Sequence, residues 1–456
     1  MDINGKKVLV LGGGESGLSA AFLAQAKGAD VTLLDSSDSE VVQARLAPLR
    51  DNGVHLFLGK TAEQWRGEAD LVVISPGIPL ESPLHLAGVA TGAPCWSELA
   101  FGASFLDVPM LAVTGTNGKT TTTEMLQHSL RAGGKRVVAG GNIGLPMSDL
   151  PLNGRKYDYI VTEVSSFQME HPGEFSPRAA ALLNVTPDHL NRHKTLEAYT
   201  KAKLNLFEHI TEPKRIVVRA ELLRENSLVA EAFSCKECLT FSVDSDVDAD
   251  YVVEDDCLVR RGADGGKRLL RCSQLPWRGR HNLENALATL AMEEAAGLDP
   301  ADYALFLVTF QIGPHRLQTI AEIGGIRYVD DSKATDVDAM TRALETLGEE
   351  GRPIALIAGG LDKGCSLEEA IPALRRYVTA VFCIGACGER LVELWGKEIP
   401  ATRCKGMEDA VRGAREAVRN GGIVLLSPGC ASMDMFPNYA ERGNFFKKTV
   451  FELHKS

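Results

Sequence analysis

The segment Leu111–Thr123, LAVTGTNGKTTTT, carries the sharpest chemistry in the chain. An apolar strand runs into two glycines, then Lys119 and Thr120, then a helical stretch. Backbone amides in such a turn converge on phosphate oxygens, and the positive end of the following helix adds to the attraction. Gly115, Asn117 and Gly118 would form the cradle, with Thr121 in the first turn behind it. Lys119 can reach β- and γ-phosphates, and the Thr120 hydroxyl can meet Mg²⁺. The common phosphate-loop pattern wants glycine at the position of Val113, so this is a shorter, tighter variant. Glu163 ends a second apolar strand, Tyr159–Val164. An acid at a neighbouring strand's C-terminal end can hold a metal near the phosphates.

Other residues take their meaning from position. Tyr199 and Lys203 lie four apart on a probable helix and share a face, whereas Lys201 points elsewhere. Asn282 and Asn285 sit one helical turn apart. Gly12, Gly14 and Gly17 have G-x-G-x-x-G spacing after the strand Lys7–Leu11, with Asp35 at the end of the next strand. That is the dinucleotide fingerprint, and taken alone it favours a dehydrogenase. Such an assignment leaves Lys119, Lys203 and Asp331 unexplained.

These residues need a scaffold that presents strand ends and helix starts together. Short apolar runs alternate with amphipathic stretches throughout, the βαβ rhythm of parallel sheets covered by helices. Strands are expected at Lys7–Leu11, Asp30–Leu34, Met110–Thr114, Arg136–Ala139, Tyr159–Val164, Ala180–Asn184, Ile354–Ala358 and Gly422–Leu426. Helices are expected at Lys119–Ala132, Leu196–Ile210 and Asn282–Ala296. The turn-rich segment Leu239–Arg271 has the look of a small antiparallel insert. The fold class is α/β in three domains: an N-terminal Rossmann-like domain (1–98), a central P-loop ATPase-like domain (99–312) and a C-terminal Rossmann-like α/β domain (313–456).

Composition narrows the function. The net charge of -11 and the absence of a basic run argue against nucleic acid as a partner. No apolar run reaches membrane-spanning length, and the N-terminus has no export signal, so a cytoplasmic protein without membrane insertion is expected. Ten cysteines then default to reduced thiols. Cys235 and Cys238 form a lone CxxC that Cys257 and Cys272 do not complete as a zinc site.

Eight motifs stand in series: TGTNGKTTT, EVSSFQ, NVTPDHLNRH, GRHNLENA, GPHR, DDSKAT, GGLDKG and SPGCASMDMF. Together they resemble the Mur ligases of peptidoglycan precursor synthesis, over essentially the whole chain and in the family's order. Folylpolyglutamate synthases share some of them, chiefly the phosphate loop. The compact first block, with GGGESGLSAA, LLDSSDS and SPGI, is most similar to the members that extend UDP-N-acetylmuramoyl-L-alanine with D-glutamate. The resemblance implies ATP-dependent amide formation through an acyl phosphate, with Mg²⁺, in a monomer whose partners are small-molecule substrates. Another Mur ligase or a folylpolyglutamate synthase-type ligase is the alternative, and a nucleotide-gated binding protein without catalysis is a third.

By resemblance, Lys119, Glu163, His189 and Lys203 are catalytic. Thr120, Glu163, His189 and Lys203 as a CO₂-derived carbamate are the metal ligands. ATP falls to Gly115, Asn117, Gly118, Lys119, Thr120, Thr121, Asn282, Asn285, Arg316, Asp331 and Lys333. Gly14, Ser16, Asp35, Ser36, Gly77, Asn142, Ser165 and Gln168 take the UDP substrate. Lys363, Thr335, Ser432, Met433 and Tyr439 receive D-glutamate, with Tyr439 standing where relatives often show Phe.

Overall fold

The computed structural model describes residues 1–262, 265–362 and 366–453. Three α/β sheets account for the strands, one in each third of the chain. Contacts divide the chain into two compact units. One comprises Met1–Val185, Glu197–Pro276 and Asn282–Phe310; the other comprises Thr186–Leu196, Trp277–His281 and Gln311–Ser456.

The first sheet holds β1 (Lys7–Leu11), β2 (Asp30–Asp35), β3 (His55–Leu58), β4 (Leu71–Ile74) and β5 (Cys95–Ser97) in the order β3-β2-β1-β4-β5, all parallel. Val8, Leu9, Val10 and Leu11 are all buried, as a central parallel strand covered on both faces requires. The helix Glu15–Ala26 follows β1 through the glycine turn. Gly17 has no room for a side chain: a Cβ there would stand 1.8 Å from the Gly12 carbonyl oxygen. Ser97 caps the helix Glu98–Ala103 by accepting from the Ala100 amide.

The central sheet runs on from there. It contains β6 (Met110–Thr114), β7 (Val137–Gly141), β8 (Tyr159–Glu163), β9 (Ala179–Leu182), β10 (Ile216–Arg219), β11 (Cys238–Phe241), β12 (Tyr251–Glu254), β13 (Cys257–Arg260) and β14 (Lys267–Arg271). Their order is β14-β13-β12-β11-β10-β9-β6-β8-β7. The antiparallel insert expected at 239–271 is instead one edge of this sheet. Here β11 pairs parallel with β10 and β12 with β11, and only β12–β13 and β13–β14 are antiparallel. Alternating polarity marks a strand but not its partner, so the sequence could not distinguish an insert from an extension. The first two sheets meet within one unit, where Ser97 N–H donates to His171 O (2.7 Å) and Glu98 accepts from Ser148 N–H (2.7 Å).

The third sheet belongs to the second unit: β15 (Gln318–Ile323), β16 (Ile326–Asp330), β17 (Ile354–Gly359), β18 (Val378–Ile384), β19 (Ala401–Arg403) and β20 (Gly422–Leu426). The order is β15-β16-β20-β17-β18-β19, with β15 antiparallel to β16 and the rest parallel. β17 and β20 are buried along their whole length. The helix Val337–Gly348 starts at Asp336, whose carboxylate accepts from the Ala339 amide.

Candidate active site

β6 and β9 are neighbours in the central sheet, so their C-terminal ends place the loop 115–118 beside Asn184. Two glycines make that loop possible. Gly118 is left-handed (φ 83), and a Cβ on it would meet Asn285 Oδ1 at 2.4 Å. Gly115 has φ 154 and lies against Leu183 and Asn184. Asn184 braces the turn from below. Its Oδ1 accepts from Thr116 N–H (3.0 Å) and Asn117 N–H (2.8 Å), while its Nδ2 donates to Asn117 O (3.0 Å). Nothing in the chain's spacing singled out Asn184, although it opens the NVTPDHLNRH motif.

Two lysines point into this loop. Lys119 Nζ donates to Gly115 O (2.9 Å) and Thr116 O (2.7 Å), folding back over the turn that its own helix begins. Lys203 is buried, at 1% exposure, on the helix Leu196–Leu204. Its Nζ donates to Gly115 O (2.7 Å) and stands 4.3 Å from the centre of the Tyr199 ring. Lys201 points outward and pairs with Glu197. The shared face of Tyr199 and Lys203 is therefore present. Asn285 joins the same cluster, with Thr122 Oγ1 donating to its Oδ1 (3.2 Å). Asn282, Thr121 and Asn285 are buried and Thr120 half-buried.

Glu163 ends β8, next to β6. It is buried, and Asn142 Nδ2 donates to its Oε1 (2.6 Å). Its Oε2 is buried with no hydrogen-bond partner among the described residues. An uncompensated carboxylate oxygen is costly unless a cation meets it, so this donor set fits a divalent metal beside the phosphate loop. Asn142, expected on the substrate side, is thus also the residue that orients Glu163. Ser165 and Gln168 close on each other just after β8, with Ser165 N–H and Oγ–H both donating to Gln168 Oε1 (2.9 and 3.1 Å).

In the first sheet, the Asp35 carboxylate links the glycine turn after β1 to its own turn. Oδ2 accepts from Gly13 N–H (2.6 Å) and Oδ1 from Ser37 N–H (2.7 Å). Gly14 and Ser16 are half-buried at the start of the helix Glu15–Ala26, and Ser36 and Gly77 are exposed.

The second unit gathers a separate set. Asp331 is buried; its Oδ2 accepts from Ser427 Oγ–H (2.7 Å) and its Oδ1 from Leu317 N–H (3.1 Å). Burial pushes its pKa up to about 7. His315, at φ 64, pairs its Nδ1 with Asp330 Oδ2 at 2.7 Å. Lys333 Nζ lies 4.0 Å from the centre of the Tyr439 ring. The DDSKAT and SPGCASMDMF motifs are stitched together by Gly429 N–H donating to Ala334 O (3.0 Å). Arg442 completes the stitch from within the core. Its Nε donates to Ser332 Oγ (2.9 Å), Nη2 to Ser332 O (2.8 Å) and Nη1 to Cys430 O (3.0 Å). Burial lowers the Arg442 pKa to about 10. Arg442 carries no motif signal, and as a lone arginine on the helix Tyr439–Leu453 it would pass for a surface residue. Ser432 is buried, Met433 is 71% exposed, and Thr335 and Arg316 are half-buried. His189 falls in this unit and pairs with Asp188 at 3.3 Å. Lys363 lies outside the described residues.

Three family models match this chain. The Mur ligase MurD-like N-terminal domain covers residues 6–96, the Mur ligase middle domain 113–293, and the glutamate ligase domain of Mur ligases 315–430. The chain belongs to the Mur ligase family. Among curated relatives, a UDP-N-acetylmuramoylalanine--D-glutamate ligase of Koribacter versatilis is 35% identical over 99% of both chains. One of Pelotomaculum thermopropionicum is 37% identical, over 100% of this chain and 99% of its own. Among solved structures, the MurF ligase of Thermotoga maritima in complex with ADP is 18% identical with TM-score 0.59, covering 99% of this chain and 96% of that one. The UDP-N-acetylmuramate-alanine ligase of the same organism is 21% identical with TM-score 0.59 over 98% and 99%. These two share the fold. Among the described residues, no helix is long and apolar enough to cross a membrane.

Proposed function

We propose that this Mur ligase joins D-glutamate to the carboxylate of UDP-N-acetylmuramoyl-L-alanine at the expense of ATP, in the cytoplasm, as a step of peptidoglycan precursor synthesis. The observation that carries the assignment is full-length similarity to relatives of that name, resting on a chain whose phosphate loop is built and braced. The carboxylate is activated as an acyl phosphate, which the amine of D-glutamate then attacks. Charge accumulates between the reactants in both steps, so positioned cations and backbone donors do most of the work, and no protein nucleophile is needed.

We assign Gly115, Asn117, Gly118, Lys119, Thr120 and Thr121 to the ATP phosphates, and Asn282 and Asn285 to the nucleoside side. Thr120, Glu163, His189 and a carbamate on Lys203 would hold Mg²⁺, which supplies charge neutralisation between phosphate and carboxylate. The orphan Glu163 Oε2 and the burial of Lys203 against the loop support this set. Carbamylation would turn a buried cation into an anion able to share a metal. Arg316, Asp331 and Lys333 serve the nucleotide from the C-terminal domain. Lys363, Thr335, Ser432, Met433 and Tyr439 receive the amino acid, whose two carboxylates call for cations and positioned donors. Gly14, Ser16, Asp35, Ser36, Gly77, Asn142, Ser165 and Gln168 take the UDP substrate. Domain bounds of 1–98, 99–312 and 313–456 go with these roles.

The test is coupled ADP release with ATP, Mg²⁺ and UDP-N-acetylmuramoyl-L-alanine while the amino acid is varied. Turnover with D-glutamate is expected, and Lys119→Ala should abolish it. Turnover with L-glutamate in place of D-glutamate would overturn the assignment.

A further inference from the structure

We propose that Cys387 and Cys430 form an oxidation site, at which a peroxide converts the two thiols into an intramolecular disulfide that locks the loop 427–433 and slows ligation. Their Sγ atoms lie 3.3 Å apart. A disulfide needs about 2.05 Å, so a closure of little more than ~1 Å joins them. Both are enclosed, at 7% and 1% exposure, so the oxidant must be as small as hydrogen peroxide.

The pair sits at a junction. Cys387 N–H donates to Gly360 O (3.0 Å), and the helix Gly388–Trp395 begins just beyond it. Cys430 O is held by Arg442, and the next residue, Ala431, exchanges both backbone hydrogen bonds with Leu361. A bond between the sulfurs therefore ties the end of β17 and the loop after β20 to one helix start. Those two segments lead into Lys363 and carry Ser432 and Met433, so the functional consequence rests on the amino-acid assignment above, whereas the disulfide itself does not.

The two thiols are not equivalent. Either sulfur can donate in this contact, and it holds the Cys387 thiol below its ordinary value while raising that of Cys430. Cys383, by contrast, is pushed by burial up to about 12 and Cys404 to about 11. Cys387 is thus the nucleophile of the group. Its thiolate attacks one peroxide oxygen, the O–O bond breaks, and a sulfenic acid forms as hydroxide leaves and takes up the proton released by the thiol, giving water. The Cys430 sulfur then attacks Cys387 Sγ; the S–S bond forms, the S–O bond breaks, and the departing hydroxide takes up the Cys430 proton. Two thiols lose two electrons, and hydrogen peroxide becomes two waters. A dithiol reductant reverses the change.

The experiment treats the full-length protein with hydrogen peroxide, blocks remaining thiols, and maps non-reduced peptides by mass spectrometry alongside ligation kinetics. A peptide pair linked through Cys387 and Cys430 is expected. With it, kcat/KM for D-glutamate should fall by roughly tenfold to a hundredfold, the scale of a ~1 Å displacement, while nucleotide affinity holds within about twofold. Dithiothreitol should restore activity, and Cys387→Ala should keep basal activity and lose peroxide sensitivity. Absence of the 387–430 link while exposed Cys235 is oxidised overturns the proposal, as does a formed link with unchanged D-glutamate kinetics. An untreated protein that ligates no amino acid refutes the functional assignment instead, and the linked peptide then still decides the disulfide.

Discussion

Asn184→Ala isolates the brace under the phosphate loop. The substitution removes the acceptor for two loop amides and the donor to Asn117 O, three bonds of 2.8–3.0 Å around a side chain 5% exposed. The backbone bond from Thr116 N–H to Asn184 O stays. At about 1 kcal/mol net for each bond, the loss is ~2–3 kcal/mol, most of it expressed as disorder in the loop that nucleotide must reorder. Affinity for a non-hydrolysable ATP analogue with Mg²⁺ should then weaken roughly 30- to 100-fold by isothermal titration calorimetry. Asn184→Asp is the companion variant. It keeps the acceptor for the two loop amides, loses the donor to Asn117 O and sets a negative charge beside the phosphates; its melting temperature should fall less than that of Asn184→Ala while affinity falls. If Asn184→Ala binds the analogue within about twofold of the parent and melts with it, the loop does not depend on this residue and the reasoning fails.

Other outcomes follow from the same structure. Lys203→Ala should lower kcat by roughly a hundredfold or more, and short carboxylates should restore part of it if a carbamate's negative charge is what the site uses; rescue by short amines instead would argue for the free amine. Glu293 is fully buried with Ser129 Oγ–H on its Oε1 (2.6 Å), and burial raises its pKa to about 8. The folded state therefore binds this proton more tightly than the unfolded chain, so stability is fully present below the usual glutamate range and is lost as pH rises through 8. Glu293→Gln should remove that share of the slope, and its melting temperature should gain on the parent's between pH 5 and pH 8.5; parallel curves would contradict the shift.

How much of this was legible beforehand depended on whether the signal was local. β1, β6, β20 and the helix Lys119–Ala132 have the bounds that apolar runs and glycine punctuation predict, because each strand is a largely buried run and the helix is bracketed by Gly118 and Gly133. The helix expected over 196–210 ends at Leu204 and tightens into a single 3₁₀ turn at Asn205–Phe207, a change that periodicity alone does not register. The edge strand β15 was invisible, since only the third sheet's edge makes Gln318–Ile323 extended. Spacing presents Lys119 and Lys203 as two separate lysines, and only the resemblance puts them in one site; their meeting on Gly115 O depends on strand order in the central sheet. Asn184 and Arg442 were missed for the same reason. Their work is to hold backbone atoms far away in sequence, and such partners are set by topology and not by spacing.

The proposed function requires that the terminal phosphoryl group of ATP pass to the carboxylate of the UDP-linked substrate beside Lys119. Oxygen-18 placed in that carboxylate tests it directly, by mass spectrometry of the inorganic phosphate released during D-glutamate ligation. One labelled oxygen should appear in the phosphate for each amide formed. Amide product accompanied by wholly unlabelled phosphate would rule out that transfer.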